Sequence, residues 1–364
     1  MTDAELAGAV IMASSADAVG TDAVQRLHLG GVILMGSQGI VDGTDGGTPE
    51  QVAAVTAALQ QQSPDLPVLV GTDQEYGDVT RLVNGFTEFP GASTLADMGD
   101  TATATALTEQ IAAAAAQEML AVGITVDFAP DADVLPDDGS PSSIGDRSYG
   151  SDPERVGAFV AAAVKGYQSA GLAASLKHFP GIGGIAADTH QSLPELGVSC
   201  ETWNAVGAVP MRAGVDAGVA MVMTGHVTLP AIGEDTVPTS LSAGAVTDLL
   251  KGKGSDGCEG LGFTGITVTD SLQMAPVANS FASGSAAVQA LLAGQDLLLM
   301  PVDPAAAVTG IVAALASGDL PRERLVDAAT RVTALRVATA DVTRPSMDVI
   351  DSQEHRDLAA QVWG

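Results

Sequence analysis

Residues 173–190 read AASLKHFPGIGGIAADTH. The apolar run AASL at 173–176 has the composition of a buried strand. Charge then arrives at Lys177 and His178, followed by a turn containing Pro180, Gly181, Gly183 and Gly184, and the stretch closes on Asp188, Thr189 and His190. A buried strand that ends in charge and runs into a glycine-rich turn describes a site on a loop held by a rigid scaffold. Singly, His178 fits a satisfied core histidine and His190 a surface one. Lys177, His178 and His190 crowded onto one loop point to chemistry instead.

Similar apolar runs recur on both sides. GAVIM (8–12), GGVILMG (30–36), VLVGTD (68–73) and ITVDFAP (124–130) precede AASLKHF (173–179), while VAMVMTGH (219–226), GITVTD (265–270) and DLLLMP (296–301) follow it, which makes eight expected strands. Helix starts lie between them. Thr48 precedes Pro49, Ser151-Asp152 precedes Pro153-Glu154, and Asp303 precedes Pro304, each a cap residue with proline in the first turn. Stretches 101–121 and 202–217 also read as helices, and 321–340 closes an outer ring after the last strand. Eight buried strands alternating with helices predict an α/β fold, a (β/α)8 TIM-type barrel. Segment 21–29 is short for a crossover helix, so the barrel is expected to be irregular at its first β/α unit. With no internal repeat, low-complexity linker or charge block, a single (β/α)8 catalytic domain over 1–364 is expected.

A formal charge of −29 and a pI near 4.1 speak against nucleic acid as a partner, since phosphate binding needs clustered Lys and Arg. They also speak against anionic membrane surfaces, and read as a solvated acidic surface. No run of about 18 apolar residues is present, so no membrane insertion is expected. The first apolar run is preceded by Asp3 and Glu5 rather than by a basic segment. That start suits a cytoplasmic protein, or an extracytoplasmic one without its export signal, and leaves the compartment open. Cys200 and Cys258 allow one disulfide without requiring it.

Barrel active sites sit at the C-terminal strand ends. There the sequence places Asp73, then Asp131 and Asp133, then Lys177 and His178, then His226, and finally Asp270. Such a carboxylate-rich pocket suits glycoside hydrolysis, in which one group attacks the anomeric carbon and another handles the leaving-group proton. Asp270, at the end of an apolar strand, is the nucleophile candidate. His190 exchanges protons near neutral pH, and Asp188 is placed to set its tautomer and raise its basicity, as an aspartate does in a hydrolase triad.

These residues resemble glycoside hydrolase family 3, specifically its single-domain β-N-acetylglucosaminidases (β-N-acetylhexosaminidases). GTDQEYGDVTRL at 71–82 is similar to that family's DQEGGRVxRL segment, and IGDRSYG at 144–150 to its IGDRSFG loop. KHFPGIGGIAADTH at 177–190 resembles KHFPGHG…DSH, and VTDSLQM at 268–274 resembles SDDLxM. The likeness extends from HLGGVILMG at 28–36 to AGQDLLLMP at 293–301. It implies a retaining hydrolase of terminal β-linked N-acetylglucosamine in glycan fragments such as those of peptidoglycan or chitin, with no cofactor and no metal. By position, Asp270 is similar to the family's nucleophile and His190 to its histidine acid/base, with Asp188 as partner. Asp73, Arg81, Arg147, Lys177 and His178 fall where the family holds the sugar. Family 3 β-glucosidases usually add a second α/β domain supplying a carboxylic acid/base; on the expectation of a single domain over 1–364 there is no room for one, which favours the histidine subgroup. Three positions depart from the pattern. Tyr76 stands for a Gly, Asp78 for an Arg and Ile182 for a His, so that Tyr76 alters the turn or offers a sugar a stacking face, and Ile182 removes a polar group beside Lys177 and His178.

Rival readings differ in chemistry. A metal-dependent hydrolase needs clustered ligands, whereas His178, His190 and His226 lie on separate segments. A phosphorylase is compatible with His190, because a neutral imidazole does not repel phosphate and Lys177 and Arg147 would attract it, while Asp188 and the overall charge disfavour an anion. Water needs no binding site, which favours hydrolysis. A family 3 enzyme with shifted specificity, such as a β-glucosidase, and a sugar-binding protein without catalysis complete the alternatives.

Overall fold

A computed structural model of the protein describes residues 1–36, 47–255 and 257–362. Its main sheet is built from β1 (Ile11–Ser14), β2 (Gly31–Ile33), β3 (Leu69–Thr72), β4 (Val126–Asp127), β5 (Ala173–Phe179) and β6 (Met221–Thr224). A small antiparallel ladder, β7 (Gly254–Ser255) with β8 (Cys258–Glu259), precedes the last two strands of that sheet, β9 (Ile266–Thr269) and β10 (Leu298–Leu299). The eight long-range neighbours follow the order β10-β1-β2-β3-β4-β5-β6-β9, all parallel. Between β9 and β10 the ring is tied by one bridge, Val268 to Leu297, and by Leu297 N–H to Thr267 O at 3.0 Å and Thr269 N–H to Leu297 O at 3.2 Å. The result is a (β/α)8 barrel, nearly closed, with one seam that is not laced as a full ladder.

Alternation along the strands separates two apolar sets. Ile11, Ala13, Val32, Val70, Ala174 and Val222 face the surrounding helices. Met12, Ile33, Leu69, Val126, Phe128, Met221, Met223, Val268 and Leu299 form the other cluster and fill the barrel. Glycine makes room for its largest members. A Cβ at Gly31 would lie 2.6 Å from Met12 Cε, and one at Gly71 3.0 Å from Phe128 Cε2.

Two expected elements are corrected. Residues 8–10 do not open the first strand: Thr2 and Glu5 form a reciprocal capping box that starts a helix, Asp3–Ala9, and β1 begins only at Ile11. The expected helix over 202–217 is two, Cys200–Ala205 and Ala208–Asp216. Pro210 explains the break, because its ring excludes a helical carbonyl at Val206 and it has no N–H to donate. The first β/α unit is irregular as expected, with only the short helices Ser15–Ala18 and Ala23–Leu27 between β1 and β2. Helices Thr101–Ala121 and Arg322–Ala340 lie where the sequence placed them. Cys200 and Cys258 are joined in a disulfide that ties helix Cys200–Ala205 to β8. No described helix is long and apolar enough to cross a membrane.

The turn after β3 carries the first sequence departure. Tyr76 adopts φ 63° and Gly77 φ 60°, so a tyrosine occupies the left-handed region that glycine takes more easily. Its ring is buried and meets Phe89 edge-on at 5.4 Å between centroids. Phe89 in turn packs at 5.9 Å from His355, whose Nδ1–H reaches Glu118 Oε1 at 2.7 Å. Tyr76 is therefore a core residue that docks the turn on the C-terminal helix Gln353–Ala360, and it offers no stacking face to a ligand. Replacing Tyr76 by Gly releases about 1 kcal/mol of left-handed strain but removes a buried ring worth roughly 3–5 kcal/mol. The variant should melt several degrees below the parent; an equal or higher melting temperature would show that strain dominates.

Candidate active site

A cavity of about 360 Å³ opens at the C-terminal ends of the barrel strands, and all eight residues singled out from the sequence line it: Asp73, Arg81, Arg147, Lys177, His178, Asp188, His190 and Asp270. Ile33, Met35, Met223, Met274, Leu299 and Met300 supply apolar wall. A second cavity of about 460 Å³ lies across the 181–184 turn, against Val134, Leu135 and Trp203, and contains none of the eight.

The polar floor is built from the ends of β3 and β5. Strand alternation would send Lys177 and His178 to opposite faces, but the register of β5 on β6 shifts between Leu176 and Phe179, and both side chains reach the cavity. Lys177 Nζ donates to Asp73 Oδ1 at 2.8 Å and lies 2.5 Å from Glu75 Oε1. Arg147, from the short turn Gly145–Arg147, grips the same Glu75 with two parallel bonds, Nε to Oε2 at 2.8 Å and NH2 to Oε1 at 2.9 Å. Burial alone would raise the Glu75 pKa, but Lys177 and Arg147 outweigh it and hold the carboxyl near 2. Lys177 is kept charged by Asp73 and Glu75 despite burial. Arg81 is looser, 4.0 Å from Asp73 Oδ2.

Behind this floor, His178 Nδ1 donates to Asp133 Oδ2 at 2.8 Å, and its Nε2 faces Arg147 NH2 at 3.4 Å. Asp133 also accepts the N–H of Ile182 at 2.5 Å, so the departure at 182 is met by backbone, while the Ile182 side chain adds apolar wall. Asp131, Asp133 and His178 bring potential metal-ligating atoms within 4.8 Å. The donor set does not favour a resident ion: His178 Nδ1 is committed to Asp133, and Arg147 lies 3.7 Å from Asp131 Oδ2. Burial, reinforced by Asp133, pushes the Asp131 carboxyl well above the usual carboxylate range.

Asp270 follows β9, with its N–H on Thr224 O at 2.9 Å and its Oδ1 accepting from Ser271 N–H at 2.7 Å. Burial would raise its pKa, yet it is lowered on balance by His226, His178 and that N–H. His226 itself is pushed down by burial. His190 stands on the rim, its side chain 70% exposed, with Nδ1–H on Asp188 Oδ1 at 2.8 Å. The His190 N–H and Gln191 Nε2 also bond Asp188, whose carboxyl is held below its ordinary value chiefly by the His190 backbone. Through Ala275 N–H to His190 O at 3.0 Å, the rim loop is tied to the segment that follows Asp270.

Not every polar strand end reaches the cavity. Asp131, Asp133 and His226 are buried beneath it, because each points its side chain into protein partners rather than solvent. Asp78 is exposed on the turn and does not line it. Conversely, Glu75 belongs to the site although the sequence reading takes only Asp73 and Arg81 from its segment; the available signal is the second carboxylate of DQE, two residues after Asp73. Gln74 and Asp127 support it from behind. Asp127 Oδ1 accepts Gln74 N–H at 2.8 Å, and Gln74 Oε1 accepts Arg81 and Leu82 N–H at 2.8 and 2.9 Å, tying the 81–82 segment to the residue that follows Asp73.

Fold and cavity together define a (β/α)8-barrel enzyme with an anionic carboxylate and a histidine–aspartate pair at the C-terminal face. Residues 3–335 match the family described as Glycosyl hydrolase family 3 N terminal domain. A beta-hexosaminidase of Stenotrophomonas maltophilia is 36% identical over 257 residues, 69% of this chain and 72% of that protein. One of Nitrosomonas eutropha is 34% identical over 292 residues, 78% of this chain and 77% of its own. A solved glycoside hydrolase family 3 beta-N-acetylglucosaminidase from Paenibacillus sp. aligns with TM-score 0.86 and 34% identity over 100% of this chain and 68% of that one. The chain belongs to glycosyl hydrolase family 3.

Glu75→Gln would leave Lys177 and Arg147 without their shared buried counter-charge, which costs roughly 3–5 kcal/mol. Because the Glu75 pKa is depressed from 4.5 to about 2, its contribution is complete above the unfolded value and is lost as pH falls through this window. Acid titration of stability should therefore be steeper in the parent than in Glu75→Gln between pH 4.5 and 2. Equal slopes would contradict the pairing.

Proposed function

We propose that the protein is a retaining β-N-acetylglucosaminidase acting on terminal β-linked N-acetylglucosamine of glycan fragments, with Asp270 as nucleophile and His190, oriented by Asp188, as acid/base. One observation carries this reading: an ionised carboxylate fixed at a strand end and a histidine with its Nδ1 engaged line the same cavity. The names of the relatives at 36% and 34% identity support the sugar. In the first step an Asp270 oxygen bonds the anomeric carbon, the C1–O bond breaks, and the departing oxygen takes a proton from His190 Nε2. In the second, His190 Nε2 takes a proton from water, whose oxygen bonds C1 and releases Asp270. Asp73, Arg81, Arg147, Lys177 and His178 bind sugar hydroxyls.

The cavity's charge balance supports water as the acceptor. Its lining carries four carboxylates, Asp73, Glu75, Asp188 and Asp270, against three permanent cations, Arg81, Arg147 and Lys177. Lys177 and Arg147 are already committed to Asp73 and Glu75, so an incoming phosphate gains little from them. A chromogenic β-N-acetylglucosaminide should be hydrolysed in the presence of chelator and give free sugar in millimolar phosphate. Asp270→Ala should abolish turnover, and His190→Ala should harm a disaccharide more than an activated aryl glycoside, since acid assistance matters most for a basic leaving group. Folded protein without turnover would sink the reading; sugar 1-phosphate as main product would replace it with phosphorolysis.

The Cys200–Cys258 disulfide supports an extracytoplasmic location, because such bonds persist in oxidising compartments. Alkylation of the protein as isolated from its native source should label neither cysteine before reduction. Ready labelling of both would return the protein to a reducing compartment.

A further inference from the structure

We propose that His226 is a positioning residue for Asp270, acting through the backbone of Ser271; the inference rests on the nucleophile reading above. His226 follows β6, is fully buried and does not line the cavity. Its Nε2 lies 2.9 Å from Ser271 O. A carbonyl only accepts, so Nε2 carries the hydrogen. Its Nδ1 lies 2.7 Å from Ser240 Oγ and takes that hydroxyl's hydrogen when the ring is neutral.

The histidine is itself held on both sides. Gln295 Nε2 donates to Ser240 O at 2.9 Å and to Thr224 Oγ1 at 2.6 Å, and Thr239 Oγ1 donates to Gly225 O at 2.7 Å. The turn after β9 is then pinned at three consecutive residues: Asp270 N–H on Thr224 O at 2.9 Å, Ser271 O under His226, and Leu272 N–H on Leu299 O at 2.9 Å. Within that turn the Ser271 N–H reaches Asp270 Oδ1 at 2.7 Å, which orients the carboxylate and leaves Oδ2 free of this bond. Loss of the His226 clamp lets residue 271 rotate and carry its N–H off the carboxylate. A misplaced reacting atom of this kind costs about 10- to 100-fold in rate.

Two polar variants separate the two ends of the ring. Gln at 226 reaches as far as Nε2 and keeps a donor for Ser271 O; Asn reaches only as far as Nδ1 and keeps Ser240. On an activated aryl β-N-acetylglucosaminide, His226→Asn should lose about 10- to 100-fold in kcat, with the inhibition constant of N-acetylglucosamine within about twofold of the parent and most of the kcat restored in His226→Gln. Equal kcat in the two variants, or a fall in sugar affinity parallel to kcat, would overturn the inference. Asp270→Ala in the same series separates the two claims: if it retains turnover the nucleophile reading fails, whereas an inactive Asp270→Ala beside a fully active His226→Asn refutes only the role of His226.

Discussion

A single buried carboxylate organises the cavity floor. Glu75 is shared between Lys177 from β5 and Arg147 from the 145–147 turn, and Lys177 also holds Asp73. Each of these charges would be costly to bury alone, and together they satisfy one another. The arrangement fixes three segments relative to each other: the end of β3, the end of β5 and the loop after β4. The turn after β3 holds this carboxylate in place, through Glu75 N–H on Val79 O and through the Tyr76 ring buried in the core.

Around this floor the groups proposed for catalysis differ in exposure and environment. Asp270 sits on pinned backbone within the barrel, while His190 stands in solvent on a loop. The bond from Ala275 to His190 couples the two without burying the imidazole. That division suits their chemistry, because a nucleophile benefits from fixed orientation and a proton carrier from contact with water.

Much of this was legible in the sequence because strand and site share one signal. Apolar runs that end in charge gave both the barrel and its functional face, and the eight selected residues meet in one cavity. The capped helix at Asp3–Ala9 was hidden by the apolar residues GAVIM, in which a helix end and a strand start read alike. The stretch 202–217 likewise reads as one helix, although Pro210 carries the information to break it. Glu75 and His226 are the instructive cases within the site. Whether a polar residue near a strand end faces the cavity or sits beneath it depends on side-chain direction across several elements. DQE and TGH contain the residues but not that direction.

The bond between Cys200 and Cys258 has a thermodynamic meaning beyond location. It closes a segment with a sequence separation of 58 residues, and in a chain-entropy description such a ring lowers the freedom of the denatured ensemble by about 4 kcal/mol. The enclosed segment contains β6, His226 and Ser240. The scaffold behind the proposed nucleophile is thus drawn from the part of the chain with the least conformational freedom to lose on folding.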